Sequence, residues 1–188
     1  MPAPAFALGE SVSLHAWEEE DQAFFHEHRN DERVRRPLTD VHPRNRAQVE
    51  EHFAERDGDG MSFLVCTGDD VAMRAGDADL LTRVGEVGIP WVNRPHDTGM
   101  LMYWAAPDLQ GNGYIPEATG LLLDHAFGER RLHKVWAMVV EPNDPSRKVL
   151  ESLGFEQEGH YRKETFYRGE YVDSYRYGML AEDWLDGR

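Results

Sequence analysis

Apolar and polar residues alternate near both ends of this chain, and a three-to-four spacing takes over between them. From Ser11 to Trp17 the alternation puts Val12 and Leu14 on one face, as in a half-buried strand. Glu18-Glu-Glu-Asp21 then supplies acids suited to a first helical turn, and Phe24, Phe25 and His28 carry that helix toward Arg29 and Asn30. A second helix is predicted over 43–56, where Val49 and Phe53 stand four apart. Strands are predicted over 61–67 and 82–92, with the polar, glycine-rich stretch 68–78 as a hairpin loop, and another over 98–106. Ile115, Ala118, Leu122 and Ala126 restore the helical spacing over 114–128. A strand over 134–140 leads into a helix over 145–153. Its predicted N-cap is Asp144, with Pro145 at the first helical position and Gly154 as the stop. Two strands, 158–168 and 170–180, joined near Arg168-Gly169, complete the pattern. This order predicts an α+β (mixed α/β) fold. Residues 1–10 read as a short leader and 11–188 as a single domain, with no repeat or linker dividing it.

Composition narrows the functional classes. The 188 residues are 40% hydrophobic, enough for a full core. The sequence has no run of 18 apolar residues, and its first residues lack the basic region of a signal peptide. The expectation is a cytoplasmic protein without a membrane partner. Cys66, the sole cysteine, lies in the strand-like run Ser62–Thr67 and reads as a buried structural thiol. A net charge of −15 argues against nucleic acid as a partner. Lysine supplies only three of the 20 basic residues, an acid-rich, lysine-poor balance that suggests adaptation to strong salt. His26 and His28 diverge on a helix, and Asp57-Gly-Asp-Gly60 lacks calcium-loop spacing, so no metal is expected.

The chemistry concentrates in two strand–turn–helix motifs. In the first, Met102-Tyr-Trp-Ala-Ala-Pro-Asp-Leu-Gln-Gly-Asn-Gly-Tyr-Ile-Pro-Glu-Ala118, a strand enters a glycine turn that opens into a helix. The backbone N–H groups of Gly111, Asn112, Gly113 and Tyr114 converge there in front of a helix dipole, which makes an anion site. The second, Val139-Val-Glu-Pro-Asn-Asp-Pro-Ser-Arg-Lys-Val-Leu-Glu-Ser-Leu-Gly-Phe155, starts the next helix about 30 residues on.

Together these motifs resemble the GCN5-related N-acetyltransferase (GNAT) superfamily, most closely its RimJ/RimL-type branch. The likeness runs from Ser11 to Leu180. It implies a central mixed, mostly antiparallel sheet of about seven strands flanked by about four helices, with a splay between the fourth and fifth strands. It also implies acetyl-CoA as co-substrate and direct attack of a primary amine on the thioester. The amine favoured is a protein N-terminus. The alternatives are a small amine such as a polyamine or amino acid, or a catalytically weak acyl-CoA-binding or regulatory module. A homodimer is the oligomer such a chain admits. By the same resemblance, Gln110, Gly111, Asn112, Gly113 and Tyr114 would hold the pyrophosphate. Trp104, Ala105 and Ala106 would pair with the pantetheine arm and present an oxyanion donor. Asn143 would orient that arm, and Arg147 and Lys148 would reach the adenosine end. Ser146 would protonate the leaving thiolate, with Tyr175 and Tyr177 as alternative acids. The general base falls to Glu86 or, with a slight preference, Glu164, although alignment on Ser146 puts Thr165 at the family's glutamate position. Asp108 and Asn112 depart from the family by removing positive charge around the turn.

Overall fold

The computed structural model describes residues 4–54, 58–75, 77 and 79–187. Eight strands form one sheet in the order β1-β2-β3-β4-β5-β6-β8-β7. They are β1 (Ala7–Leu8), β2 (Ser13–His15), β3 (Met61–Thr67), β4 (Thr82–Asn93), β5 (Thr98–Ala105), β6 (Lys134–Val140), β7 (Glu156–Tyr167) and β8 (Glu170–Leu180). Every neighbouring pair is antiparallel except β5–β6. The strand beyond the expected seven comes from the leader, where Ala7 and Leu8 pair with β2. The leader's first three residues lie outside the described ones.

Seven α-helices pack around the sheet among the described residues: α1 (Gln22–Asn30), α2 (Glu32–Arg35), α3 (Arg46–Ala54), α4 (Asp70–Ala75), α5 (Tyr114–Asp124), α6 (Asp144–Ser152) and α7 (Ala181–Asp186). Three of them, α2, α4 and α7, correct the expected count. Each is a single short turn or two, too brief for a sequence period to register. The stretch expected to be a plain hairpin loop holds α4. The Asp69 carboxylate accepts from the Ala72 N–H at 2.8 Å, and Arg74 reaches back to Asp70 at 3.0 Å. Helix α3 starts at Arg46 rather than at 43, because Asn45 and Gln48 exchange side-chain bonds to each other's backbone N–H at 2.9 Å. The end of that expected helix, and Asp57 of the expected turn, lie outside the described residues. Likewise Asn143, not Asp144, caps α6, accepting from the Ser146 N–H at 3.3 Å. Asp144 and Pro145 are already inside the helix.

Two apolar layers sandwich the sheet. One face carries the larger core, including Val87, Ile89, Leu122, Leu123, Val135 and Leu150, under α5 and α6. The other packs Phe25, Val34, Val49 and Trp104 beneath α1–α3. Between them lies the splay. The parallel pair β5–β6 keeps register for only Thr98–Met100 against Lys134–Trp136, and then the strands part. β4 comes close beside the opening: a Cβ on Gly85 would lie 2.0 Å from the Trp104 carbonyl oxygen, so only glycine lets β5 approach. No helix is long and apolar enough to cross a membrane among the described residues.

Candidate active site

The splay leaves backbone without sheet partners. Ala106 N–H donates to the Val84 carbonyl at 2.7 Å, which fixes the hydrogen-bonding phase of β5 against β4. Alternation then sends the amides of Trp104 and Ala106 toward β4 and those of Tyr103 and Ala105 into the gap. Ala106 therefore serves the sheet, and Ala105 N–H is the donor at the opening. The Ala105 carbonyl accepts from Gln110 Nε2 at 3.2 Å, which ties the strand end to the glycine turn. The opening is the mouth of a cavity of about 760 Å3 that runs from Gly111 and Gly113 past Ser146 to Val34 and Leu38.

At one end sits the turn. Gly111 and Gly113 both hold φ of +82°, a left-handed conformation that glycine adopts without strain. Nothing lies within 4 Å of where their Cβ atoms would be, and Gly111, Asn112 and Gly113 are exposed, so the turn ahead of α5 is open to solvent. Glu117, the acid in the first turn of α5, points away and accepts from the Ser11 N–H at 2.9 Å. Asn112 turns inward, its amide donating to the Leu109 carbonyl at 3.0 Å. Of the two basic residues on α6, Lys148 lines the cavity. Arg147 does not: it holds Asp144 at 2.6 Å and lies over the Tyr175 ring at 5.2 Å. A bare amide edge leading to a bare N–H turn fits an amide-bearing arm ending in a diphosphate, as in coenzyme A.

Ser146 faces the gap from the first turn of α6. Its Oγ lies 2.8 Å from the Tyr103 hydroxyl, which also donates to the Ser146 carbonyl at 3.1 Å. Burial pushes the Tyr103 phenol up to about 12, against a smaller downward pull from Ser146. The pair is therefore a neutral, fixed hydroxyl couple. Sequence reasoning passed over Tyr103, but the alternation that buries Trp104 on the helix α1–α3 side necessarily turns Tyr103 toward α6.

The other sequence candidates fall elsewhere. Tyr175 is outside the cavity lining, stacked on His160 with ring centroids 5.1 Å apart. The Tyr177 hydroxyl donates to Glu151 at 2.9 Å. Glu164 sits on a bulge where β7 loses register between Tyr161 and Thr165, and it borders a separate open hollow with Glu141, His160 and Asp173. The bulge turns Thr165 inward instead, where its hydroxyl meets that of Ser174 at 2.9 Å on the cavity wall. Glu86 is buried beneath Trp104, whose indole Nε1 donates to it at 2.7 Å, and it also accepts from Ser62. It fixes the indole rather than reaching the gap. Cys66 is buried away from the site, and burial pushes its thiol up to about 12.

The far end of the cavity is apolar. Val34, Pro37 and Leu38 form one wall, and Met100, Met102 and Trp104 form the floor. Among the described lining residues none is Asp or Glu, although the chain has 35 of them; Arg33 and Lys148 are the charged ones.

The acetyltransferase (GNAT) domain profile matches residues 11–156. A putative ribosomal N-acetyltransferase, YdaF of Bacillus subtilis, is 32% identical over 108 residues, 57% of each chain. A spermidine N(1)-acetyltransferase of Vibrio cholerae is 30% identical over 103 residues, 55% of this chain and 60% of that one. The chain spans about half the length of the curated relatives it matches. The crystal structure of the Vibrio cholerae spermidine N-acetyltransferase with CoA and spermine superposes with a TM-score of 0.83 at 25% identity. It covers 94% of this chain and 99% of that one.

Proposed function

This chain belongs to the GNAT acetyltransferase family, and on that premise we propose that it transfers an acetyl group from acetyl-CoA to a small primary amine. The observation that carries the reading is the Tyr103–Ser146 hydroxyl couple, set in the same gap as the unpaired Ala105 N–H. The co-substrate supplies an acetyl group activated as a thioester. Ala105 N–H stabilises the charge that develops on the acetyl oxygen, an interaction worth about 3 kcal/mol in comparable sites. The amine nitrogen bonds to the acetyl carbon as the carbon–sulfur bond breaks. The hydroxyl couple donates toward the departing sulfur, Ser146 being the nearer donor and Tyr103 its support. One proton leaves nitrogen for water, one passes from the hydroxyl couple to sulfur, and the couple regains a proton from water, so the exchange balances. No carboxylate among the described residues lines the gap, so the nitrogen's proton passes to water beside the Thr165–Ser174 hydroxyl pair. Asn143 positions Ser146 by capping its helix.

The relatives favour a small amine over a protein N-terminus, since a spermidine acetyltransferase is among them both by sequence and by structure. The test is thiol release from acetyl-CoA with ethylamine, spermidine and an unblocked tripeptide, alongside protection from melting by CoA. Thiol release with a small amine and a raised melting temperature with CoA are expected. Protection by CoA with no release from any amine would replace the enzyme with an acyl-CoA-binding module.

A further inference from the structure

Sheet register assembles an apolar surface that the helices leave open. Trp91 pairs with Met100 across β4–β5, and Met100 pairs with Trp136 across β5–β6. Three large side chains therefore share one row on one face of the sheet. The two indoles meet edge to face with centroids 6.2 Å apart. Met102 and Met138, two residues further along their strands, continue the same face. Helices α1–α3 cover only its Trp104–Met102 end. The rest stays open, with Trp91 47% and Met138 41% exposed. Met100, Met102 and Met138 belong at once to this face and to the cavity wall, so the surface is the outward continuation of the acceptor end.

We propose that the acetyl acceptor is a monoamine on an alkyl or aryl body, which lies along the Met100–Met138–Trp136–Trp91 face with its nitrogen at the splay. The inference rests on the acetyl-transfer reading of the same site. Three observations support this class over a polycation. No carboxylate among the described residues lines the cavity, so a second or third ammonium would be desolvated there without a partner. The charge at the outer rim is net positive: Arg176 lies 4.1 Å above the Trp136 ring, and the one carboxylate paired with it among the described residues, Glu158, is shared with Lys134. The face itself is built of methionine and tryptophan, which adapt to apolar bodies of varied shape. A second copy of the chain could also cover exposed tryptophans, but continuity with the cavity assigns the face to the substrate.

The test uses the full chain and thiol release from acetyl-CoA with ethylamine, butylamine, hexylamine, phenethylamine, spermidine and an unblocked apolar tripeptide. Expected is a kcat/KM that rises about three- to fourfold per added methylene, the factor that burying each one supplies. Phenethylamine should exceed spermidine by more than about tenfold. Trp91→Asp and Met138→Asp should each flatten the alkyl series to less than about twofold per methylene; should a variant fail to fold, the wild-type series decides alone. A flat wild-type series with spermidine preferred overturns the proposal and leaves acetyl transfer standing. So does preference for the tripeptide over hexylamine. A flat series in which Trp91→Asp splits a dimer in sedimentation gives the face to a second copy. No release with any amine strikes the acetyl-transfer reading on which the proposal rests.

Discussion

The two ends of the cavity are built by different means. The end proposed for the cofactor is main chain: the amide edge at Ala105 and the left-handed glycines at 111 and 113. The acceptor end is side chain throughout. Helix α1 is held to the loop before α3 by Arg29 and Arg44 converging on Asp40 at 3.0 and 2.9 Å, and Phe25, which packs with Trp17 and Phe53, joins it to the sheet at Trp104. A main-chain site survives most side-chain replacements. If the turn holds diphosphate as proposed, backbone recognition of this kind would accommodate Asp108 and Asn112, where the resemblance implies positive charge. A side-chain site changes its ligand with every substitution. Binding of the co-substrate and choice of acceptor should therefore break separately.

The largest separation is expected at Gly113. A glutamate there meets a left-handed φ of +82°, at a cost of about 1–2 kcal/mol. Its side chain has open space, so the fold should survive. The carboxylate would occupy the helix N-terminus and repel diphosphate. Gly113→Glu should abolish protection from melting by CoA, with affinity down by more than about 100-fold. Leu38→Ala, at the opposite end, should raise the KM for the amine and leave CoA protection unchanged. Equal loss of CoA protection in both variants would collapse the distinction between the two ends.

Next come the groups at the junction. Tyr103→Phe and Ser146→Ala should each lower kcat by about 10- to 100-fold with CoA protection intact. The double variant should fall little further, because the two share one hydrogen bond. The phenol stays protonated until about pH 12, so it contributes no falling limb to the pH–rate profile in the working range. Activity should instead rise with pH as the free amine becomes available. A profile that falls between pH 7 and 10 would name a different acid.

The same division explains what could be read in advance. Glycine spacing and a helix start are backbone statements, so the turn at Gly111–Gly113 and the helix start near Asn143–Ser146 were legible, whereas the splay between the strands at 98–106 and 134–140 came only from the family resemblance. The hairpin near Arg168-Gly169 was too, since both residues hold positive φ, as a tight two-residue turn requires. What escaped depends on register or on distant partners. Tyr103 becomes relevant only because α6 lands opposite it. Glu164 is displaced by a bulge that no composition signal marks. Trp91, Met100 and Trp136 are spread over 45 residues of sequence and become neighbours only once three strands are in register.

Asp40 offers a stability test confined to the acceptor end. Burial works to raise its carboxyl, but Arg44 and Arg29 together outweigh that and hold it below the usual carboxylate range. A depressed carboxyl contributes stability that is complete above its unfolded value, near pH 4, and is lost as pH falls through the folded value. Asp40→Asn should cost about 2 kcal/mol at pH 7, less than for a fully buried pair, or about 5 °C in Tm. The gap between variant and wild type should close below about pH 4. CoA affinity measured at 25 °C should not move; a drop in it would show that α1–α3 support the cofactor end as well.

The smallest effect sits where the two ends touch. Arg33, from α2, reaches Asp108, beside the glycine turn, at 3.6 Å, with both side chains well exposed. Arg33 is meanwhile held by two of its nitrogens to Asp31, at 2.8 and 3.2 Å. Removing Asp108 therefore should not let it swing away. Asp108→Arg deletes a negative charge near the turn and restores a positive one of the kind the family favours. CoA should bind about two- to fivefold tighter at low salt, and the gain should vanish near molar salt, where charges are screened within about 3 Å. The amine KM should stay within about twofold, since an exposed ion pair contributes little to the helix position. Weaker CoA binding in Asp108→Arg at low salt would remove the diphosphate from the Gly111–Gly113 turn. An unchanged CoA affinity with a shifted amine KM would make the Arg33–Asp108 contact part of the acceptor end, and the boundary between main-chain and side-chain recognition would move to the turn itself.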